Sequence, residues 1–247
     1  MSGPSSPPFL SELRLRGFKC FRDEVVLPFR RLNLLSGINS KGKSTVLQAL
    51  LLLHQAMTNA EREKGSPASV DHMDLNGRFV RLGTYREVLH RDLPLDEGIR
   101  LSFEVTAGNS AAQVQLDGRS GEAQARTIGS IQRTLEYFIN GEPVNLQTDE
   151  GFSSWMHRLT EEEPWVMRTP DQIFLNLRYV SADRLGPQEF FRWADEENSD
   201  GLFVGIRGEH TADVLRRAGL RLEIDQFRRR AEAETPFLLD QASACLG

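Results

Sequence analysis

The spacing of apolar and polar positions changes from segment to segment along the chain, and that spacing predicts where strands and helices form. Three short apolar runs near the beginning predict strands: 11–15, 24–28 and 32–35. From Lys43 to about Met57 the apolar residues recur at helical spacing, which predicts a helix with one face packed on a sheet. Residues 61–76 are charged and contain glycine and proline, so they predict a surface loop.

The middle of the chain has the alternating pattern of half-buried strands. Two segments carry it, 99–106 and 112–116, and two further segments, 135–139 and 143–146, predict a hairpin. The last two are separated by Asn140-Gly141, which predicts a tight hairpin turn. A further apolar run predicts a strand over 173–180, and helical spacing resumes from Thr211. We therefore predict an antiparallel β-lobe at about residues 99–147 and a helical C-terminal part.

A glycine-rich phosphate-binding motif lies between the run 32–35 and the predicted helix. Residues 37–44 fit G-x-x-x-x-G-K-[ST] at every fixed position. The glycines let the backbone curl so that its N–H groups point at a phosphate. Lys43 is suited to the β- and γ-phosphates, and Ser44 to a bound Mg²⁺. The predicted nucleotide-binding residues of the loop are Gly37, Asn39, Ser40, Lys41, Gly42, Lys43, Ser44 and Thr45.

The opening of the chain resembles that of the SMC, RecF and OLD-type ATPases of the ABC class. Residues 13–21, Leu-Arg-Leu-Arg-Gly-Phe-Lys-Cys-Phe, are similar to their I-x-G/N-F-K/R-x-F motif, and Asn39 matches their G-x-N-x-x-G-K-S loop. Three later segments resemble further motifs of the group in the expected order: 82–90, 177–187 and 205–215. The resemblance implies an α/β P-loop NTPase fold, an ABC/SMC-like head with a mixed sheet, the β-lobe and the helical C-terminal part. It also implies ATP and Mg²⁺ as cofactors.

The same resemblance implies roles for residues outside the loop. Lys19 occupies the lysine position of the opening motif and is implied to lie close to the nucleotide; an exposed strand lysine is the alternative. Residues 183–188 correspond by position to the Q-loop. There Asp183 would orient the metal and Arg184 would sense the γ-phosphate, while Gln188 is the only glutamine nearby. A structural turn with a surface ion pair is the alternative for this segment.

The predicted domains are a disordered tail at 1–8, an ABC-type ATP-binding domain at 9–210 and a helical segment at 211–247. The signature helix, Walker B strand and switch histidine of the ABC class are not recognisable in the sequence. Residues 237–241 have only three apolar residues, with Gln241 where the catalytic base belongs. The chain thus resembles the front half of such an ATPase, whether truncated, split or degenerate. We expect it to be inactive or weak as an ATPase on its own.

Composition and charge limit the partners. Of the 247 residues, 39% are hydrophobic and 26% charged, which is typical of a globular protein. The net charge of −5 argues against a surface that binds nucleic acid or membranes over its whole extent. The basic run at 228–230 leaves DNA possible as a partner. Two distant cysteines and the lack of a recognisable targeting segment predict a cytoplasmic protein without a membrane partner.

The expected function is Mg²⁺-dependent ATP binding. Hydrolysis is expected once the missing half or a partner completes the head, and the resemblance implies a DNA-maintenance or anti-phage defence complex. Since such heads dimerise around ATP, a second copy or a partner ATPase half is implied. The alternative is a non-hydrolysing nucleotide-sensing scaffold that recruits an effector protein. A small-molecule P-loop kinase is a more distant alternative.

Overall fold

The chain forms two compact units, Met1–Leu177 and Arg178–Gly247. The computed structural model describes the following residues: 8–38, 42–143, 170–182, 204–218, 223 and 233–244. No helix in these described ranges combines the length and the apolar character that crossing a membrane requires.

The first unit is built on a seven-stranded sheet in the order β2-β1-β4-β5-β6-β3, with β7 paired to β6. Its strands are β1 (Phe9–Arg16), β2 (Val25–Pro28), β3 (Met73–Asp74), β4 (Ile99–Ala107), β5 (Ser110–Arg119), β6 (Thr127–Ile139) and β7 (Glu142–Pro143). Leu13 of β1 lies opposite Leu27 on one side and Phe103 on the other. Every described pairing is antiparallel, so the described strands do not show the predicted mixed sheet.

One face of this sheet is apolar and the other polar, because successive side chains of a strand point to opposite faces. Leu13, Leu101 and Val114 are buried on the apolar face. On the other face Arg100 donates from Nε to Asp117 Oδ1 at 2.7 Å. The strands predicted over 11–15, 24–28, 99–106 and 112–116 are confirmed, with small shifts of their ends.

The predicted helix after the glycine-rich loop is confirmed as α1 (Lys43–Lys64), which is 22 residues long. Leu52, Leu53 and Met57 are fully buried on its inner face. The helix ends at Gly65, whose left-handed φ of +70° closes the last turn through a 2.9 Å bond to Glu61 O. The helix extends well beyond the predicted end at about Met57. Its last residues, 61–64, are charged and exposed, so they carry no apolar spacing from which the helix could be predicted.

The prediction of a surface loop over 61–76 is wrong. Its first residues belong to α1, a 3-10 turn follows at Pro67–Ser69, and β3 comes next. Val70, Met73 and Leu75 are buried, so this segment covers part of the core. The charged residues between them concealed the apolar ones, whose burial depends on tertiary contacts rather than on a regular local period.

The turn Asn140-Gly141 is confirmed between β6 and β7. Both residues have positive φ, 54° and 83°, as the favoured two-residue hairpin turn requires. Strand β6 is much longer than the predicted 135–139, since it begins at Thr127. Its first half contains Gly129 and Ser130, the latter with φ of 49°, and this irregularity hid the strand pattern. Residues 144–146 of the predicted hairpin lie outside the described part of the chain.

The strand predicted over 173–180 is wrong. Residues Gln172–Leu175 form a short helix, α3, and residues 177–180 belong to no helix or strand. Phe174 is buried in an edge-to-face contact with Phe103, with ring centroids 4.8 Å apart. Its carbonyl oxygen lies 2.6 Å from Nδ1 of His54 on α1. These contacts favour a helical turn over the strand that the apolar run predicted.

The strand predicted over 32–35 is also not observed. Leu32 and Leu34 are 88% and 89% exposed, and no described strand pairs with this segment. An isolated strand leaves its backbone groups and apolar side chains uncovered, so an apolar run alone does not form one.

The second unit is described only in part. Its described helices are α4 (Thr211–Ala218) and α5 (Leu238–Ser243). The remaining short helix, α2 (Tyr85–Val88), belongs to the first unit. Helix α4 begins where the helical spacing predicted. The buried carboxylate of Asp213 accepts hydrogen bonds from Arg216 and Arg217 one turn later. The wider prediction of a helical C-terminal part stays a prediction.

Asp71 gives a pH-dependent prediction. A hydrogen bond from Lys64 first, and one from His72 at 2.7 Å second, lower the pKa of the Asp71 carboxyl to about 2 from 3.8. A lowered pKa means that this contact stabilises the fold above pH 3.8 and is lost as the pH falls towards 2. We expect Lys64→Met to raise the pKa of Asp71, measured by NMR titration, and Lys64→Arg to keep it low. An unchanged pKa in Lys64→Met would contradict the assignment.

Candidate functional site

The glycine-rich loop lies between β2 and α1, and both of its bounding glycines have backbone angles that favour glycine. Gly37 has φ of +134° and Gly42, the N-cap of α1, has φ of +92°. The residues between Ile38 and Gly42 are outside the described part of the chain, and they include the predicted ligands Asn39, Ser40 and Lys41. Their predicted contacts with phosphate therefore stay predictions.

Lys43 reaches back across the loop. Its Nζ donates to the carbonyl oxygens of Gly37 at 2.6 Å and Ile38 at 2.7 Å. A mobile ammonium held by two carbonyl groups can exchange them for phosphate oxygens, which are stronger acceptors. The side chain of Lys43 thus contacts the backbone of Gly37, the first glycine of the motif, six residues earlier.

The first turn of α1 is free of negative charge. It contains no acidic residue, and no side chain caps its N-terminus. Ser44 is exposed in this turn, whereas Thr45 is buried. Unpaired N–H groups and the helix dipole favour an anion at such an end. The arrangement suits a bound phosphate, with the Ser44 hydroxyl accessible to a metal ion that accompanies it.

The turn after β1 packs directly on this loop. A Cβ atom at Gly42 would lie 2.6 Å from Cζ of Phe21 and 3.1 Å from Sγ of Cys20. The Cys20 thiol also donates to Thr45 Oγ1 at 3.6 Å. Gly42 is therefore required both for its backbone angle and for its lack of a side chain. The two motifs that the sequence placed 20 residues apart meet here.

Lys19 lies in the same turn, in an unusual backbone conformation. Its φ is +52°, and its N–H donates to Val88 O at 2.7 Å, which holds the turn against α2. Partial burial lowers the pKa of the Lys19 ammonium, and the charge of Glu87 opposes that effect. The side chain lines a cleft whose other lining residues come from the turn itself and from 86–91. Proximity of Lys19 to the nucleotide stays a prediction.

Sequence reasoning missed the side of this cleft that follows α2. Arg86, His90 and Arg91 line it, and the sequence assigned no binding role to any of them. The available signal was the motif-like segment 82–90, which was read only as a mark of relationship. Asp183, Arg184 and Gln188, the predicted Q-loop residues, lie outside the described part of the chain. Their roles stay predictions.

A glycine-bounded loop that leads into a long helix, with a lysine at its mouth, is typical of P-loop proteins. A family model described as "AAA domain" matches residues 12–235, which is most of the chain. The chain therefore belongs to this AAA-domain family, whose type is the P-loop ATPase. No curated protein matches it in sequence.

Membership of this family indicates nucleotide binding and, in general, ATPase activity, typically with Mg²⁺. This agrees with the geometry of the loop, where a lysine, an exposed serine and the start of a helix come together. In the described residues no three His, Cys, Asp or Glu side chains are grouped so as to hold a metal ion. A Mg²⁺ ion here would depend on Ser44 and on the phosphates themselves.

Proposed function

We propose that the chain binds ATP with Mg²⁺ at the loop 37–45, as the front half of an ABC/SMC-like ATPase head. The observation that carries this proposal is the position of the Lys43 ammonium. It lies within 2.7 Å of two loop carbonyls at the start of a helix without acidic residues in its first turn. On binding, the β- and γ-phosphates replace the carbonyls as acceptors for Lys43, and Ser44 becomes a ligand of the metal.

Hydrolysis needs more than this loop, because activation of water and neutralisation of charge supply much of the rate. Leu238 and Leu239 belong to helix α5 and do not form a strand that ends in a catalytic acid. The exposed apolar run at 32–35 is consistent with a head whose sheet is completed by further strands. We therefore propose that hydrolysis requires a completing half, supplied by a longer chain or by a partner.

The resemblance to SMC, RecF and OLD-type ATPases supports a wider proposal. Two heads would dimerise with ATP between them, in a cytoplasmic complex for DNA maintenance or anti-phage defence. Asp183, Arg184 and Gln188 would then act on the metal and the γ-phosphate from the Q-loop position. The alternative of a nucleotide-sensing scaffold shares the same ATP site, and the helical conformation of 238–241, where Gln241 takes the position of the catalytic base, supports that alternative.

We expect the 247-residue chain to bind Mg-ATP and to hydrolyse it far more slowly than about 1 s⁻¹, the lower end of typical enzyme turnover. Calorimetry measures the binding and phosphate release measures the turnover. Adding a completing half in trans should raise turnover without a matching change in affinity. Failure to bind ATP would refute the proposed function, whereas rapid hydrolysis by the chain alone would refute the need for completion.

A further inference from the structure

A cleft of about 570 Å³ opens beside the phosphate loop. Its lining residues are Lys19, Cys20, Arg86, Glu87, Leu89, His90 and Arg91. The cleft adjoins the loop through Cys20, whose Sγ lies 3.6 Å from Thr45 Oγ1. A ligand that is held by its phosphates in the loop and extends beyond them therefore has this cleft as neighbouring space.

The cleft offers more hydrogen-bond donors than acceptors. Lys19 is attracted by the charge of Glu87, and the Arg91 side chain, which is 90% exposed, lies 3.6 Å from Asp92 Oδ1. Arg86 already donates to two backbone carbonyl oxygens. The carboxylate of Glu87, the one acidic group of the lining, accepts from both the N–H and the hydroxyl of Thr84. The cleft thus suits a ligand portion rich in acceptor atoms.

His90 supplies a donor whose orientation is set by the fold. Its Nδ1 accepts a hydrogen bond from the N–H of Asp92 at 3.2 Å and lies 3.9 Å from Oδ2 of the same residue. In the neutral ring that accepts this hydrogen bond, the proton is on Nε2. No described residue accepts from that Nε2–H. The His90 backbone is held as well, because its N–H donates to Gly17 O at 2.8 Å. An oriented donor without an acceptor, at the wall of a cleft, is the arrangement that a ligand acceptor would complete.

We infer that His90 is a specificity-determining residue of this site. Its Nε2–H donates to an acceptor on the sugar–base end of a nucleoside triphosphate whose phosphates occupy the loop 37–45. This inference rests on the proposed function. Ribose oxygens and the ring nitrogens of a base are acceptors of the kind that the cleft lacks. Because no described residue of 37–45 lines the cleft, we expect triphosphate alone not to reach His90, so that its role separates from that of the loop.

The first test compares ATP with inorganic tripolyphosphate, which occupies only the loop. In His90→Asn the amide oxygen can still accept from the Asp92 N–H, but no group takes the place of the Nε2–H donor. In His90→Gln the longer side chain places an amide N–H donor near the position of Nε2–H. We expect His90→Asn to weaken ATP binding about 10-fold and to change tripolyphosphate binding less than about twofold. His90→Gln should remain within about threefold of the wild type for both ligands. Calorimetry with Mg²⁺ present measures all six affinities.

The second test uses the thiol of Cys20 as a reporter in the cleft, in a Cys245→Ser background that leaves one cysteine. We expect saturating ATP to slow alkylation of Cys20 at least about 10-fold more than saturating tripolyphosphate does, because only ATP fills the cleft.

Three results overturn the inference. The first is an unchanged affinity for ATP in His90→Asn, and the second is an equal loss of affinity for ATP and tripolyphosphate in that variant. The third is equal protection of Cys20 from alkylation by ATP and tripolyphosphate. Failure of both ligands to bind the wild-type chain has a different meaning, since it refutes the proposed function itself and the role of His90 with it. Binding of tripolyphosphate without any of the expected His90 effects refutes the inference alone.

Discussion

Lys43→Ala is expected to weaken the binding of Mg-ATP about 100-fold or more. The Lys43 ammonium donates two hydrogen bonds at the loop, to Gly37 O and Ile38 O, and under the proposed function it donates to phosphate oxygens instead when the nucleotide binds. Hydrogen bonds to charged groups contribute about 1.5–3 kcal/mol each, so losing two at a triphosphate accounts for an effect of this size. Equilibrium binding of a fluorescent ATP analogue measures the loss.

The matched control is Lys64→Ala, at the other end of the same helix. Lys64 pairs with Asp71 and lies 21 residues from the loop lysine, so its removal should leave ATP affinity within about twofold of the wild type. Thermal unfolding without nucleotide should show that Lys43→Ala is folded. Retention of wild-type affinity in Lys43→Ala would show that the loop does not bind the triphosphate.

Gly17→Ala is expected to destabilise the fold by about 3 kcal/mol. Gly17 has φ of +70°, and a Cβ atom there would lie 2.7 Å from the carbonyl oxygen of Gly98. That oxygen belongs to the backbone and cannot turn aside as a flexible side chain could. Gly17 is also held through its own backbone, to Arg22 at 3.2 Å and to His90 at 2.8 Å. Strain in the backbone and overpacking each cost about 1–3 kcal/mol.

Denaturant unfolding measures this effect as a shift of the midpoint at constant slope. Gly121→Ala is the matched control, because no atom lies within 4 Å of the added methyl group and the backbone is not left-handed there. We expect that variant to stay within about 0.5 kcal/mol of the wild type. Equal stability of the two variants would mean that the contact between the β1 turn and Gly98 is not tight in solution.

The regular elements could be predicted wherever the sequence pattern and the tertiary environment agree. The side chains of β4 and β5 alternate between the core and a polar face, and helix α1 buries one apolar stripe. The period of the apolar residues therefore predicts the type of each element. The turn Asn140-Gly141 is likewise a local matter, since positive φ at two successive residues favours these residue types.

The errors have a common cause. The runs 32–35 and 173–180 are apolar, but a strand needs a neighbouring strand, and no local pattern says whether one is available. In the second run, burial of Phe174 against Phe103 favours a helical turn instead. Burial of Val70 and Met73 within a charged segment was hidden for the same reason, since it depends on residues far away in the sequence.

By itself, the sequence predicted the phosphate-binding loop, because the requirements of such a site fall on consecutive residues: glycines that can adopt positive φ, a lysine and a serine at the start of a helix. Only the tertiary structure decided what lies beside the loop. The turn carrying Cys20 and Phe21 packs on Gly42, and the segment after α2 brings His90 and Arg91 to the neighbouring cleft. These residues are distant in the chain. They come together through two long-range backbone hydrogen bonds, from Lys19 N–H to Val88 O and from His90 N–H to Gly17 O.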